Sequence, residues 1–263
     1  MDFGDEFKGK KVVVTGACGV IGSWISRGFV DQGADVCLTD RDTAGLDKLA
    51  NALGLGGTSF VHTADLTDAK SIQDLVSAVG EKWGAPDILI NNAGIYPSGF
   101  LLDIDEKDWD LIFGINVRAP FILSRSMSLL MIGQKHGGNI INISSGASRK
   151  MRSSVVPYCV SKAALDRLTK GFALELAEHG IRVNAIEPGF VPGSKVSPLP
   201  AEHIEKTIDG IPLGRPTSAD DVVPAILYLC SAAASYLTGM AIAVDGGNSI
   251  GSMQVYQNKK RSL

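Results

Sequence analysis

The sequence predicts an α/β fold of the doubly wound kind, a mostly parallel seven-stranded sheet with helices on both faces. Three observations carry that reading. Short apolar runs at residues 11–15, 35–39, 58–63, 87–91, 138–144, 181–186 and 240–244 alternate with longer helical patterns, as in a parallel sheet covered on both faces. The first run passes through a glycine-rich turn directly into a helical pattern. Later runs end in polar residues, where such a sheet places its ligand.

The first strand, Lys11–Thr15, leads into Gly16-Ala-Cys-Gly19-Val20-Ile21-Gly22, and Ile25, Phe29 and Val30 continue the chain as a helix. One glycine permits the tight turn, a second lets backbone approach a pyrophosphate, and a third packs helix on strand, the signature of a Rossmann-type nucleotide site. Unpaired N–H groups at the helix start favour the anion. The second strand ends at Asp40, where a carboxylate can accept both ribose hydroxyls and repel the extra phosphate of NADP. The neighbouring Arg41 could instead accommodate that phosphate; NAD is the expected cofactor, with NADP as the alternative. Asp65-Leu66 follows the third run, and Asn91-Asn92-Ala93-Gly94 follows the fourth.

After the fifth run comes Ser145, and Pro157 opens a helical pattern holding Tyr158 and Lys162. Residues i and i+4 share a helix face, so an ammonium would sit beside a phenol. A free phenol has a pKa of about 10, and a nearby positive charge brings it towards the working range of an acid/base. Ser145 would aim its hydroxyl at the same spot. Residues 191–213, rich in Pro, Ser and Gly, read as a lid over substrate. Ser218-Ala-Asp-Asp221 reads as a capped helix start, with Pro224 in its second turn. No repeat or low-complexity linker divides residues 1–263, so a single domain is expected.

Formal charge is −3 and basic residues are dispersed, so nucleic acid is not an expected partner. No apolar stretch reaches a membrane span of about 18 residues, and the first residues lack a basic region followed by an apolar segment, so secretion is not expected. Cys18, Cys37, Cys159 and Cys230 show no metal or disulfide spacing and read as core residues of a cytoplasmic protein. Four scattered histidines give no support to zinc or to a Ser-His-acid site.

With these motifs in this order, the chain resembles the short-chain dehydrogenase/reductase family, in its compact single-domain branch, from about Lys10 to Gly247. Thr15-Gly16…Gly22, Asp65, Asn91–Gly94, Asn116, Ser145, Tyr158…Lys162, Pro188-Gly189 and Val244–Gly247 carry the likeness. The resemblance implies that Tyr158 transfers the proton and that Ser145 holds the substrate oxygen. Lys162 would bind the nicotinamide ribose and depress the pKa of Tyr158, and Asn116, in the helical segment 108–130, would anchor a relay water. Asp65 and Leu66 would flank adenine, Asn92 with Ala93 and Gly94 would lie near its ribose, and Pro188, Gly189 and Val191 would run beside nicotinamide. It also implies a homo-oligomer, dimer or tetramer, commonly joined through the last strand and its preceding helix.

Two departures stand out. Val20 occupies the family's middle glycine position, with Gly19 before it, and Gly193 stands where the family often has a nicotinamide-binding threonine; Ser194 is a candidate substitute. The expected reaction is hydride transfer between NAD and a secondary alcohol or ketone, such as a sugar or polyol. An NADP-dependent 3-oxoacyl-thioester or ketone reductase is the alternative; an epimerase, or a non-catalytic NAD-binding protein, fits less well. Arg149, Lys150 and Arg152 follow Ser145 closely: one facing inward would favour an acidic substrate, whereas a solvated basic loop is the expected arrangement.

Overall fold

The computed structural model describes residues 3–193 and 199–251. Ser194, the basic tail 259–261 and part of the expected lid lie outside the described residues. The strands are β1 (Lys11–Thr15), β2 (Asp35–Asp40), β3 (Phe60–Thr63), β4 (Ile88–Asn91), β5 (Gly138–Ile143), β6 (Ile181–Pro188) and β7 (Ala241–Val244). They form one sheet in the order β3-β2-β1-β4-β5-β6-β7, with every pairing parallel. The order reverses between β1 and β4, which opens a crevice at the carboxyl ends of these strands.

Eight α-helices connect the strands among the described residues: α1 (Val20–Asp31), α2 (Thr43–Leu53), α3 (Ala69–Trp83), α4 (Glu106–Phe113), α5 (Ala119–Gln134), α6 (Val156–Leu176), α7 (Ala201–Asp209) and α8 (Ala219–Cys230). Several are started by local chemistry. Asp42, Asp68 and Asp105 accept hydrogen bonds from the first-turn amides of α2, α3 and α4. Asp221 reaches back to the Ser218 amide at 2.8 Å, the reciprocal cap expected before α8. Gly54 ends α2 at φ 61°, a left-handed position that glycine tolerates.

Side chains alternate across the sheet with period two. Val12, Val14, Ile88 and Ile90 pack with α1, α2 and α8, through Ile25, Phe29, Leu46 and Ile226. Val13, Leu89, Ile140 and Val183 pack on the other face with α3, α5 and α6, through Ile72, Leu75, Leu123, Met127 and Ala173. No helix among the described residues is long and apolar enough to cross a membrane. Cys37, Cys159 and Cys230 are buried, while Cys18 is partly accessible.

Beyond strand-end shifts of one or two residues, three departures from the sequence pattern have a visible cause or consequence. β3 starts at Phe60 because Thr58 and Ser59 turn to β2, binding Asp35 (2.6 Å) and the Val36 amide (3.0 Å). The segment 108–130 is not one helix: a π-helical turn, Gly114–Arg118, separates α4 from α5. Within the expected lid, residues 201–209 form α7 rather than open loop.

Candidate active site

At the nucleotide end, the glycine turn is held by backbone contacts that side chains would break. Gly16 has φ 63°, and a Cβ there would lie 2.8 Å from Ala93 Cα; at Gly22 it would lie 2.2 Å from the Gly16 carbonyl oxygen. Thr15 Oγ1 accepts from the amides of Asn92 and Ala93, both at 3.0 Å. Asn92 Nδ2 donates to the carbonyls of Thr15 (2.8 Å) and Gly16 (3.0 Å). Asn92 and Ala93 therefore brace the turn, a role that the turn-residue reading of this tetrad did not reveal.

Gly19 caps α1 at φ −70°, so its backbone is open to other residues, and Val20 begins the helix with Ile21 behind it. The shifted glycine thus leaves the helix start in place. Asp40 Oδ2 accepts from the Cys18 amide (3.1 Å) and Oδ1 from the Asp42 amide (3.2 Å), which fixes the carboxylate at the turn's edge. Asp65 is exposed at the same end of the sheet. Hydrogen bonds from Thr67 hold its carboxyl below the usual range, helped by the charge of Arg41. Leu66 packs against the second core.

The other end gathers residues from four elements. Ser145, just past β5, has extended backbone and opens a 3₁₀ turn, Gly146–Ser148; its Oγ accepts from the Ala147 amide at 3.1 Å. Tyr158 lies in the first turn of α6, and Ser145 is among the groups that act on its phenol. The Tyr96 ring stands 5.7 Å away, centroid to centroid. Burial pushes the Tyr158 phenol up to about 12, opposed by Ser145 and by the charge of Arg152.

Lys162 is 4% exposed. Its Nζ lies 5.7 Å from the Tyr158 ring centroid and donates to the Ile143 carbonyl at 2.7 Å. The i,i+4 spacing therefore places the ammonium beside the ring, while β5 takes its hydrogen bond. Burial lowers its pKa to about 8, opposed by Asp166 one turn further along the helix. The structure thus differs from the expected phenol: desolvation raises it, and the groups that lower it are Ser145 and Arg152.

Asn116 is fully buried in the π-helical turn. Its Oδ1 accepts from the Ile95 amide (2.9 Å), and its Nδ2 donates to the Ile95 carbonyl (2.9 Å) and Ser161 Oγ (3.0 Å). It stitches the loop after β4 to α6. A Cβ on Gly94 would stand 3.4 Å from both Asn116 Oδ1 and Lys162 Nζ, so Gly94, Asn116 and Lys162 meet in one cluster. A π turn often marks a functional position, and nothing in the sequence pattern disclosed it.

The third wall is the end of β6. Pro188 is buried, and the Gly189 amide donates to Val244 at 3.0 Å. A Cβ on Gly189 would come within 2.6 Å of Thr217 Oγ1 and 2.7 Å of Asp245 Cα. Val191 is partly buried, and Gly193 has φ 90°, a conformation suited to glycine rather than threonine. Of the three cations after Ser145, two turn onto the protein itself. Arg149 pairs with Glu187, and Lys150 binds the Asn248 carbonyl and Oδ1. Arg152 is exposed. Glu187 was missed by sequence reasoning, although a lone carboxylate in an apolar strand run was the available signal.

The chain matches, over residues 16–249, a family model described as enoyl-(acyl carrier protein) reductase. It is 36% identical over 243 residues to a 3-oxoacyl-(acyl-carrier-protein) reductase of Thermotoga maritima, covering 92% of this chain and 98% of that protein. It is 35% identical to a galactitol 2-dehydrogenase of Agrobacterium fabrum, covering 91% and 97%. A crystal structure from Beutenbergia cavernae, described as an NAD(P)-dependent gluconate 5-dehydrogenase with NADP bound at low occupancy, superposes with a TM-score of 0.87. It shares 33% identity and covers 94% of this chain and 100% of that one. Similarity of this extent in both sequence and fold decides the family: the chain belongs to the short-chain dehydrogenase/reductases and is an oxidoreductase acting on CH–OH and carbonyl groups.

Proposed function

We propose reversible hydride transfer between NAD and a carbon bearing a secondary hydroxyl or carbonyl group, with a sugar or polyol as substrate. The observation that carries it is the convergence of Ser145 and buried Lys162 on Tyr158, beside the Asn92–Gly94 segment that braces the glycine turn. The cradle suits a dinucleotide: Gly16, Gly22 and Gly94 keep space that a side chain would fill, and a helix start faces the turn. When bound, the nicotinamide supplies the hydride acceptor or donor.

In oxidation, Tyr158 as phenolate removes the hydroxyl proton, and in reduction it returns it. Ser145 holds the substrate oxygen and steadies the phenolate. Lys162 holds the ribose and contributes positive charge, and Asn116 fixes the geometry of the relay around Ile95 and Ser161. Such a positioned acid/base contributes about 10²–10⁴-fold; orientation within the cleft supplies much of the rest. The described residues act as one nucleotide-binding domain, with α7 as part of its lid.

NAD is favoured over NADP because Asp40 presents an anchored carboxylate at the turn's edge, where a ribose phosphate would be repelled. Reduction of a 3-oxoacyl thioester with NADPH is the second reading, supported by the Thermotoga maritima relative. A homo-oligomer is supported by the open edge of β7, near exposed Tyr236 and Met240; light scattering tests it.

A panel of polyols and sugar acids with NAD, and of 3-oxoacyl thioesters with NADH and NADPH, read by NADH or NADPH absorbance, tests the reaction. Turnover of a polyol with NAD, and a larger thermal shift with NADH than with NADPH, are expected. Thioester reduction alone would overturn the polyol reading, and a larger shift with NADPH would overturn the cofactor reading.

A further inference from the structure

Glu187 is the one carboxylate of β6, 1% exposed and next to Pro188-Gly189. Burying a carboxylate is costly unless it is paired and hydrogen-bonded. Its partners come from a single place. Arg149 Nε forms an ion pair with Oε2, and Ser148 Oγ donates to Oε1 at 3.3 Å. Arg149 Nη2 continues to the Ala241 carbonyl on β7 at 3.0 Å.

Both partners belong to the turn that Ser145 opens. The Ser148 amide donates to the Ser145 carbonyl at 2.9 Å and the Arg149 amide to the Gly146 carbonyl at 3.2 Å. The turn is therefore tied at one end to the catalytic-cluster serine and at the other to the strand end that becomes the third wall. We propose that Glu187, acting through Arg149 and Ser148, is a positioning residue that locks the Ser145 turn against the Pro188-Gly189 wall. This rests on the hydride-transfer reading for its meaning, since it makes the serine hydroxyl and the nicotinamide wall one rigid unit.

The pair is not an anion site for substrate, because Arg149 already spends its Nε and Nη2 groups inside the chain. Nor does stability explain it well: a buried ion pair is often no more stabilising than apolar residues of the same volume. Geometry is what it supplies. The charges around Glu187 are Arg149 from the turn and Asp166 from α6, with Asp245 after β7 acting on Arg149. Burial and Asp166 raise the Glu187 carboxyl, while Arg149 and Ser148 oppose them.

The test uses the full chain. Glu187→Gln removes the charge, and the double variant Glu187→Leu/Arg149→Leu removes both partners without leaving a lone buried charge. Affinities for NADH and for ADP-ribose, which lacks the nicotinamide, are measured beside the melting temperature. NADH affinity is expected to fall about tenfold with ADP-ribose affinity unchanged. For a substrate found in the panel, kcat is expected to fall by roughly 10–10²-fold with KM little changed. Arg149→Lys should restore part of the loss relative to Arg149→Ala.

Equal losses of NADH and ADP-ribose affinity would mark general loosening and overturn the proposal. So would an unchanged NADH to ADP-ribose ratio in a folded double variant. The ratio needs no substrate, so a silent panel would count against the hydride-transfer reading and leave this test intact.

Discussion

The two faces of the sheet are built differently. The face under α1, α2 and α8 is packed by aliphatic and aromatic side chains such as Val12, Ile25, Phe29, Leu46 and Ile226. The face under α3, α5 and α6 has an apolar base, but towards the carboxyl ends of the strands it becomes polar. Asn91 Nδ2 donates to Ser124 (3.0 Å) and to Asn142 Oδ1 (2.8 Å), and Asn142 Nδ2 donates to Thr169 (2.8 Å). Above this chain lie Asn116, Lys162 and Glu187, all buried. Apolar packing is tolerant in direction, whereas each buried polar group needs a partner at a set angle. One face therefore supplies stability and the other supplies orientation.

That division can be broken at chosen points. Phe29 is buried on the apolar face and meets Phe7 edge to face at 5.6 Å. Phe29→Ala should cost about 3–5 kcal/mol of stability by denaturant unfolding, while the folded fraction keeps its kcat. Tyr158→Phe should do the reverse, lowering kcat at least about 10²-fold with NADH affinity and melting temperature close to wild type. Near-normal turnover would remove Tyr158 from its role.

Asn142→Ala lies between these extremes. It leaves Asn91 and Thr169 short of a partner and should cost about 1–3 kcal/mol, visible in the melting curve and also in kcat, since the chain supports α6. A loss confined to stability would argue that the polar layer is packing only. The smallest effect is expected at Arg152, whose charge lowers the Tyr158 phenol. Oxidation needs the phenolate, so its rate should rise with pH. Arg152→Ala should move that rise to higher pH by less than about one unit. A shift to lower pH would contradict the field assigned to Arg152.

Much of the nucleotide end was legible because its parts are consecutive. Gly16 and Gly22 are six residues apart, and the left-handed turn and close packing they allow are local demands on backbone. The strand count was legible for a similar reason, since short apolar runs alternating with longer helical patterns are written along the chain. Arg149 and Lys150 were not. As cations after a serine they read as a solvated basic loop, or as a site for an acidic substrate if one faced inward, yet their actual partners, Glu187 and Asn248, lie 38 and 98 residues away. The π turn at Asn116 was equally hidden, because its side chain is satisfied by Ile95 and Ser161 rather than by near neighbours.

Sequence alone determined the alternation of strand and helix, the glycine turn, and the placing of Tyr158 and Lys162 on one helix face, because each follows from spacing along the backbone. Tertiary structure alone decided where charge goes: the Lys162 ammonium to the Ile143 carbonyl and the Arg149 guanidinium to Glu187, with burial setting the Tyr158 phenol. Desolvation is the reason. A pKa or an ion pair depends on which groups share a dry space, and chain order does not specify that space until the sheet and its helices have closed around it.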